Sequence, residues 1–485
     1  MKTSTLIKEP NLYFRGNKSA ADPKIGILNF GPYGSEIKDD TPRIIRAGVI
    51  GTKRSYLELQ SWLEKIKLRI PGALNKDNKT RDPDFPGLQV EGPFKFDIQL
   101  DSSCFEEIPE EHIRNLPNVL NRKDRVLKML EVYEQKFKDL AETSDPKPDI
   151  VLLPLDEKMI SLCKEKGLLG DRIVYEHRSF KPRRLKGDIP VFDFHHALKI
   201  MAFKYGSFTT QLLLPRTLNF GQGTQDPATI AWNFAVSTYY KATGIPWKLA
   251  EIDDETCYVG LSFYQELSKG ERNMRASMAQ VYLKTGESQV IRGKPFKWDE
   301  KTMHPRLNEE HAFDILQDVI HLYKRQKDGR IPKRMVIHKT SSFTNEEITG
   351  FNNATDKIEI VDYLHIHEHS GIMMLPKGES YPAIRGTFIY DQNEFLLYTT
   401  GYVPALDTYK GPSVPAPLFI KAHRLDTTPE IIAKDILALT KLDWNNSYFN
   451  TRMPVTISVS QRVGSILSES SARNVTLPTS YRYFM

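Results

Sequence analysis

The chain has 485 residues, 40% of them hydrophobic and 26% charged, with a formal net charge of +6 and a pI near 8.8. That length exceeds one ordinary core and predicts two to four domains of a soluble globular protein. A mean hydropathy of −0.44 and the lack of a long apolar run argue against a membrane span. The opening MKTSTLIKEPNLYF carries no apolar core of a secretory signal. Cys104, Cys163 and Cys257 lie too far apart for a disulfide framework or a zinc knuckle, so a reducing cytoplasm is expected.

In chain order, GALNKDNKTRDPDFPG at 72–87 is polar and turn-rich and reads as a loop. Residues 121–142 carry Val126, Leu130, Phe137 and Leu140 or Ala141 at helical spacing. DIVLLPL at 149–155 reads as a fully buried strand, MISLCKEKG as a short helix ending at Gly167, and DRIVYEH at 171–177 as another strand. A helix over 192–205 and a strand over 209–215 complete an alternation that implies a parallel sheet with helices on its faces. The second half has another rhythm. Strand-like runs at 257–266, 275–284 and 289–296 suit an antiparallel meander, followed by a helix over 307–327. RMVIH then reads as a strand, and Ser342 or Thr344 before Glu346 and Glu347 as the cap of a helix. Three antiparallel strands, a helix, a strand and a helix is the order of a ribonuclease-H-like sheet.

A nuclease of that architecture holds two divalent metals with carboxylates. One belongs within the first strand, where the sequence offers Ser262. Another belongs after the strand that follows the helix, where it offers Thr340, next to Lys339. Hydroxyls without carboxylates are poor Mg²⁺ ligands, and a lysine repels the metal. Glu266 and Glu287 are close in sequence, but spacing does not bring them to the same place.

Three blocks in the second half, YYKATGIPWKLAEIDDETCYVGLSFYQE, VIHKTSSFTNEEITGF and LALTKLDWNNSYFNTRMPVTISVSQRVGSIL, resemble the PIWI domain of a prokaryotic Argonaute. The opening EPNLYFRGNKSAADPKIGILNFGPYG, with AGVIGT at 47–52, resembles the start of the short Argonautes, which have only MID and PIWI domains. The likeness runs nearly end to end, with little from residues 53–148. It implies an α/β protein with a Rossmann-like MID domain containing a parallel sheet, over 1–215 with the N-terminal segment. A ribonuclease-H-like PIWI domain would follow over 216–485.

Carried over position by position, the family's first aspartate falls on Ser262, its second on Thr340 and its last ligand on Thr456. The chain thus resembles the catalytically inactive members, which bind a guide–target duplex without cutting it. The same resemblance places a guide 5′-phosphate on His195, Lys199, Gln211 and Lys241, with Lys204 as a further backbone contact. It also puts Mg²⁺ between that phosphate and the Met485 carboxylate, at the end of an aromatic tail, SYRYFM, expected to be buried. The partners it implies are a small guide RNA, single-stranded target DNA and an APAZ-containing effector protein. The effector would be a sirtuin-like or TIR NADase, less readily a nuclease. Two other readings compete. One is an active nuclease with displaced acids such as Glu266, Glu287 or Asp362. The other is a subunit that binds duplexes without a guide.

Three features stay open. KPRRLKGD at 181–188 and KRQKDGRIPKR at 324–334 are either solvated surface or a polyanion-binding face. His365, His367 and His369 would share one face of a strand, as an exposed row or a Zn²⁺ site. Trp232, Trp247 and Trp444 read as core.

Overall fold

The computed structural model describes residues 3–36, 43–73, 82–164, 173–177, 191–221, 223–253, 255–266, 273–280, 288–297, 305–368, 371–374, 382–407, 409, 414–470, 475 and 478–485. The basic run 181–188, Glu287 and His369 fall outside them.

The first half is built on a parallel sheet in the order Phe96–Glu107, Arg43–Gly51, Ile150–Pro154, Thr210–Leu213. The strand Ile150–Pro154 is buried on both faces. Ile150 and Leu152 point into one core, with Trp62 and Leu63 of the helix Lys53–Ile66. Val151 and Leu153 point into another, with Tyr133 and Phe137 of the helix Arg122–Thr143. Each such side chain contributes about 1.5–3 kcal/mol on burial. The helix expected over 121–142 is present. The segment expected as a strand over 171–177 leaves the parallel sheet, since Val174–His177 pairs antiparallel with Val191–Asp193 in a separate ribbon. Strands 43–51 and 96–107 have no counterpart in the sequence reading. The first alternates poorly, and the second is mostly polar with a register shift where the two pair.

The second half is a nine-stranded sheet. Its heart is the ribonuclease-H-like order Gln289–Lys297, Asn273–Gln280, Thr256–Gln265, Arg334–Lys339, Ile360–His367. The first three strands are antiparallel, and the fourth and fifth run parallel to the third. The helix Glu309–Gln326 and the helix Asn345–Ala354 pack on one face. The second of these begins with a complete capping box between Thr344 and Glu347. The helix Val455–Ser470 packs on the other face.

The N-terminal segment does not stay with the parallel sheet. Thr3–Leu6 pairs with Thr387–Asp391 at the far edge of the nine-stranded sheet, and Leu12–Tyr13 pairs with Lys248–Leu249. A division at 215/216 is therefore crossed by backbone pairing.

Candidate functional site

A cavity of about 530 Å³ opens between the two halves. The helix Phe194–Tyr205 supplies His195 and Lys199, one turn apart and thus on one face. Its N-cap, Asp193, accepts from the His195 backbone N–H at 2.8 Å. Gln211 comes from the edge strand of the parallel sheet, and Lys241 is the last residue of the helix Pro227–Lys241. Four residues separated by up to 46 positions in sequence are thereby brought to one wall, together with Met485.

The two lysines are only 2% and 3% exposed. Lys241 Nζ donates to Gln211 Oε1 at 2.6 Å, and Lys199 Nζ donates to an oxygen of Met485. Among the described residues, no acidic side chain pairs with either. Burial pushes Lys199 down to about 7. Burial, then the charge of Lys199, holds Lys241 well below its ordinary value. His195 opens to solvent at its outer edge, yet burial and then Lys199, His196 and Lys241 hold its pKa well below that of a free imidazole. Ammonium groups so enclosed are costly without a counter-charge. The Met485 carboxylate supplies one beside Lys199, and an anion that entered the cavity would supply a second.

The chain's last residues hold this wall in place. Val290 N donates to Thr479 O at 2.6 Å and Tyr481 N to Ser288 O at 3.0 Å, which fastens the tail along an edge strand. Phe484 packs on Phe203 at 5.2 Å between ring centres, and Met485 is buried. The expectation of a buried aromatic tail is met.

Lys204 does not join the cavity. Five residues beyond Lys199, it lies ~140° further around the helix, and its Nζ donates to Glu134 Oε1 at 2.7 Å on the surface. Conversely, the cavity includes His196 and Arg462, which sequence reasoning missed. His196 was overshadowed by its neighbour His195. Arg462 sits mid-helix in 455–470, held by Asp443 at 2.7 Å, and only the packing of that helix on the first half brings it here. For Mg²⁺, the cavity offers oxygens of Met485 and Gln211, each already accepting from a lysine. No group of three or more His, Cys, Asp or Glu side chains suited to a metal occurs among the described residues. Of the protein's groups the Met485 carboxylate would hold such an ion, and it would need further oxygens from a ligand.

The second corner lies on the nine-stranded sheet. Strand alternation puts Tyr258, Gly260, Ser262 and Tyr264 on the face of helix 455–470, and Cys257, Val259 and Leu261 on the opposite face. In the neighbouring strand, Val336 and His338 share the first face, and Thr340 follows the strand's last residue, Lys339, in a bend. Thr456 meets them from the helix, its Oγ1 2.8 Å from His338 Nδ1. Ser262 and Thr456 thus lie on one side of the sheet and contribute hydroxyls, and Thr340 lies at the end of the neighbouring strand. Lys339 points to the other face, into a fully buried ion pair with Glu347, between the rings of Phe263 and Phe343. It was never aimed at the metal position. Glu266 is engaged by Arg292 at 2.8 Å, and Asp362 accepts from Arg334, Thr427 and the backbone of Asp426. His365 lies 3.2 Å from the Thr340 carbonyl oxygen and 6.0 Å, ring to ring, from His367.

No family model matches the chain, and no curated protein is significantly similar to it. Solved structures do match, over nearly the whole chain. The structure of Clostridium butyricum Argonaute bound to a guide DNA and a 19-mer target DNA aligns with a TM-score of 0.65 at 17% identity, covering 98% of this chain and 54% of that one. Drosophila Piwi aligns at 0.61 and 12%, covering 99% and 56%. Marinitoga piezophila Argonaute, solved with a 5′-hydroxyl guide RNA, aligns at 0.54 and 15%, covering 96% and 57%. The fold is Argonaute-like. The parallel sheet corresponds to a MID domain and the nine-stranded sheet to a ribonuclease-H-like PIWI domain. The chain spans just over half the length of these Argonaute and Piwi chains. Among the described residues, no helix is long and apolar enough to cross a membrane.

Proposed function

We propose that this Argonaute-like chain binds the 5′-phosphorylated end of a small guide RNA and uses the guide to recognise complementary single-stranded DNA without cutting it. One observation carries the reading. Two nearly buried lysines face a cavity with a glutamine and a histidine, and among the described residues the Met485 carboxylate, bonded to Lys199, is their one anionic partner, while Lys241 meets the neutral Gln211 amide. A terminal phosphate carries more charge than an internal diester. Entering the cavity, it restores the full charge on Lys199 and Lys241, whose protonation burial otherwise opposes. Gln211 orients Lys241, and His195 closes the outer side. Mg²⁺, when bound, would add positive charge between Met485 and the phosphate.

The proposal includes the absence of cleavage, because the positions that the resemblance assigns to metal-binding acids carry Ser262, Thr340 and Thr456, and a two-metal site needs carboxylates. It also includes a separate effector. A chain that recognises a target without cutting it requires a partner to act, proposed as an APAZ-containing protein with a sirtuin-like or TIR domain that depletes NAD. In such a system the protein reads duplex shape and charge while base pairing reads sequence.

The test is the affinity ratio of 5′-phosphorylated over 5′-hydroxyl guide. Lys199→Ala with Lys241→Ala should lower it roughly 10²-fold, as expected for two hydrogen bonds to charged groups. Equal losses for both guides would refute the phosphate site. Guide-dependent cleavage of matched DNA by the chain alone would support the displaced-acid reading instead.

A further inference from the structure

Behind the cavity wall, a carboxylate from the PIWI half reaches into the start of the MID helix. Glu469, on helix 455–470, has a side chain only 1% exposed. Its two oxygens accept from the Asp193 backbone N–H at 3.1 and 3.2 Å, and Oε1 lies 2.7 Å from His196 Nδ1. Asp193 in turn caps the helix at His195. One buried carboxylate thus seats the whole first turn that carries both histidines.

The carboxylate, whose two oxygens share one backbone N–H, accepts from the ring as well, so Nδ1 carries the proton. The remaining ring nitrogen, Nε2, has no protein partner among the described residues, and His196 lines the cavity. This is the arrangement in which a carboxylate fixes an imidazole's tautomer and orientation so that its other nitrogen is presented to a ligand. We propose that His196 Nε2 is a further contact for the bound anion, and that Glu469 is the residue that positions it. Neutral His196, protonated on Nδ1, cannot donate from Nε2. The contact requires a second proton, taken from solvent as the anion binds. The imidazolium then lies between the anion in front and Glu469 behind. The other charged or titratable groups on the cavity are His195, Lys199, Lys241 and Arg462, cationic when protonated, and the Met485 carboxylate, which Lys199 engages, while Glu469 is the carboxylate directly behind the His196 ring. The 5′ end of a guide would then be held by both halves of the molecule at once.

The inference rests on the terminal-phosphate reading, and isosteric substitutions separate it from a merely structural tie between domains. His196→Asn keeps an N–H at the Nδ1 position for Glu469 and removes the atom at Nε2. His196→Gln places an amide near Nε2 and gives up the bond to Glu469. With the full chain, the expected result for His196→Asn is an about tenfold lower ratio of 5′-phosphorylated to 5′-hydroxyl guide affinity, one charge-assisted hydrogen bond's worth, at an unchanged melting temperature. His196→Gln should melt lower yet keep more of the ratio. Glu469→Gln, which removes the charge at constant size, should lower the ratio severalfold. A wild-type ratio in His196→Asn overturns the contact, and a wild-type ratio in Glu469→Gln overturns the positioning role. If the double lysine variant also keeps the wild-type ratio, the phosphate site itself fails. If it loses the ratio while His196→Asn does not, only the present inference falls.

Discussion

Single residues at the acid-less corner are legible as letters but not as environments. His338, at the end of the strand RMVIH, is fully buried and bonded to Thr456. Burial, then Arg334, pushes its pKa down to about 3, and burial above all pushes His365 down to about 4. In the unfolded chain both take up a proton near the ordinary imidazole value of about 6.5, which the folded chain resists. The unfolded state therefore binds more protons between those limits, and stability falls as pH drops from about 6.5 towards 4. His338 contributes up to about 1.4 kcal/mol per pH unit over that range. His338→Asn retains a donor for Thr456 and does not titrate. Its denaturation midpoint should decline less steeply with acid than the wild type, and parallel slopes would contradict the assignment.

At the scale of elements, helix 455–470 connects the two sites. Thr456 sits over the corner at one end and Glu469 holds the cavity at the other, ~20 Å apart along the axis at 1.5 Å per residue. Its approach to the sheet depends on Gly260, where a Cβ would lie 1.9 Å from the Thr456 carbonyl oxygen. Backbone cannot yield there as a flexible side chain would. Gly260→Ala should destabilise the protein by about 1–3 kcal/mol and shift the helix, read by chemical denaturation together with weakened guide binding. A neutral effect would show that the helix is free to move. Alternation within a strand likewise settles Lys339, which sequence placed beside Thr340 and pleating sends to the opposite face.

At the scale of the whole molecule, the N-terminal segment ties the halves together. Glu9 meets Arg385 at 2.9 Å and Lys441 at 2.6 Å, and both basic side chains are at most 1% exposed. The core around these elements is shared, since one cluster runs from Val49 and Trp62 of the MID half to Leu364 and Ile436 of the PIWI half. Glu9→Ala would leave two buried cations with neutral acceptors only. The expected cost is about 3–5 kcal/mol, seen as a lower midpoint of a single unfolding transition for both halves. An unchanged midpoint would mean that water replaces the carboxylate.

By itself the sequence determined what depends on near neighbours. The buried strand at 150–154, the amphipathic helix 122–143, the meander with its following helix, and a helix cap at Ser342 or Thr344, which the structure resolves to Thr344, follow from period and local hydrogen bonding. His195 and Lys199 were legible as a pair because one helical turn fixes their distance. Tertiary structure decided whatever depends on which elements meet. It turned Lys204 outward to Glu134, sent strand 174–177 out of the parallel sheet, and carried the N-terminal strand to the far edge of the other domain. It also delivered Arg462 to the cavity and Glu469 behind its wall, more than 200 residues from the first-half residues they join. Local pattern carries no term for such contacts, because they are selected by the burial of whole faces against one another.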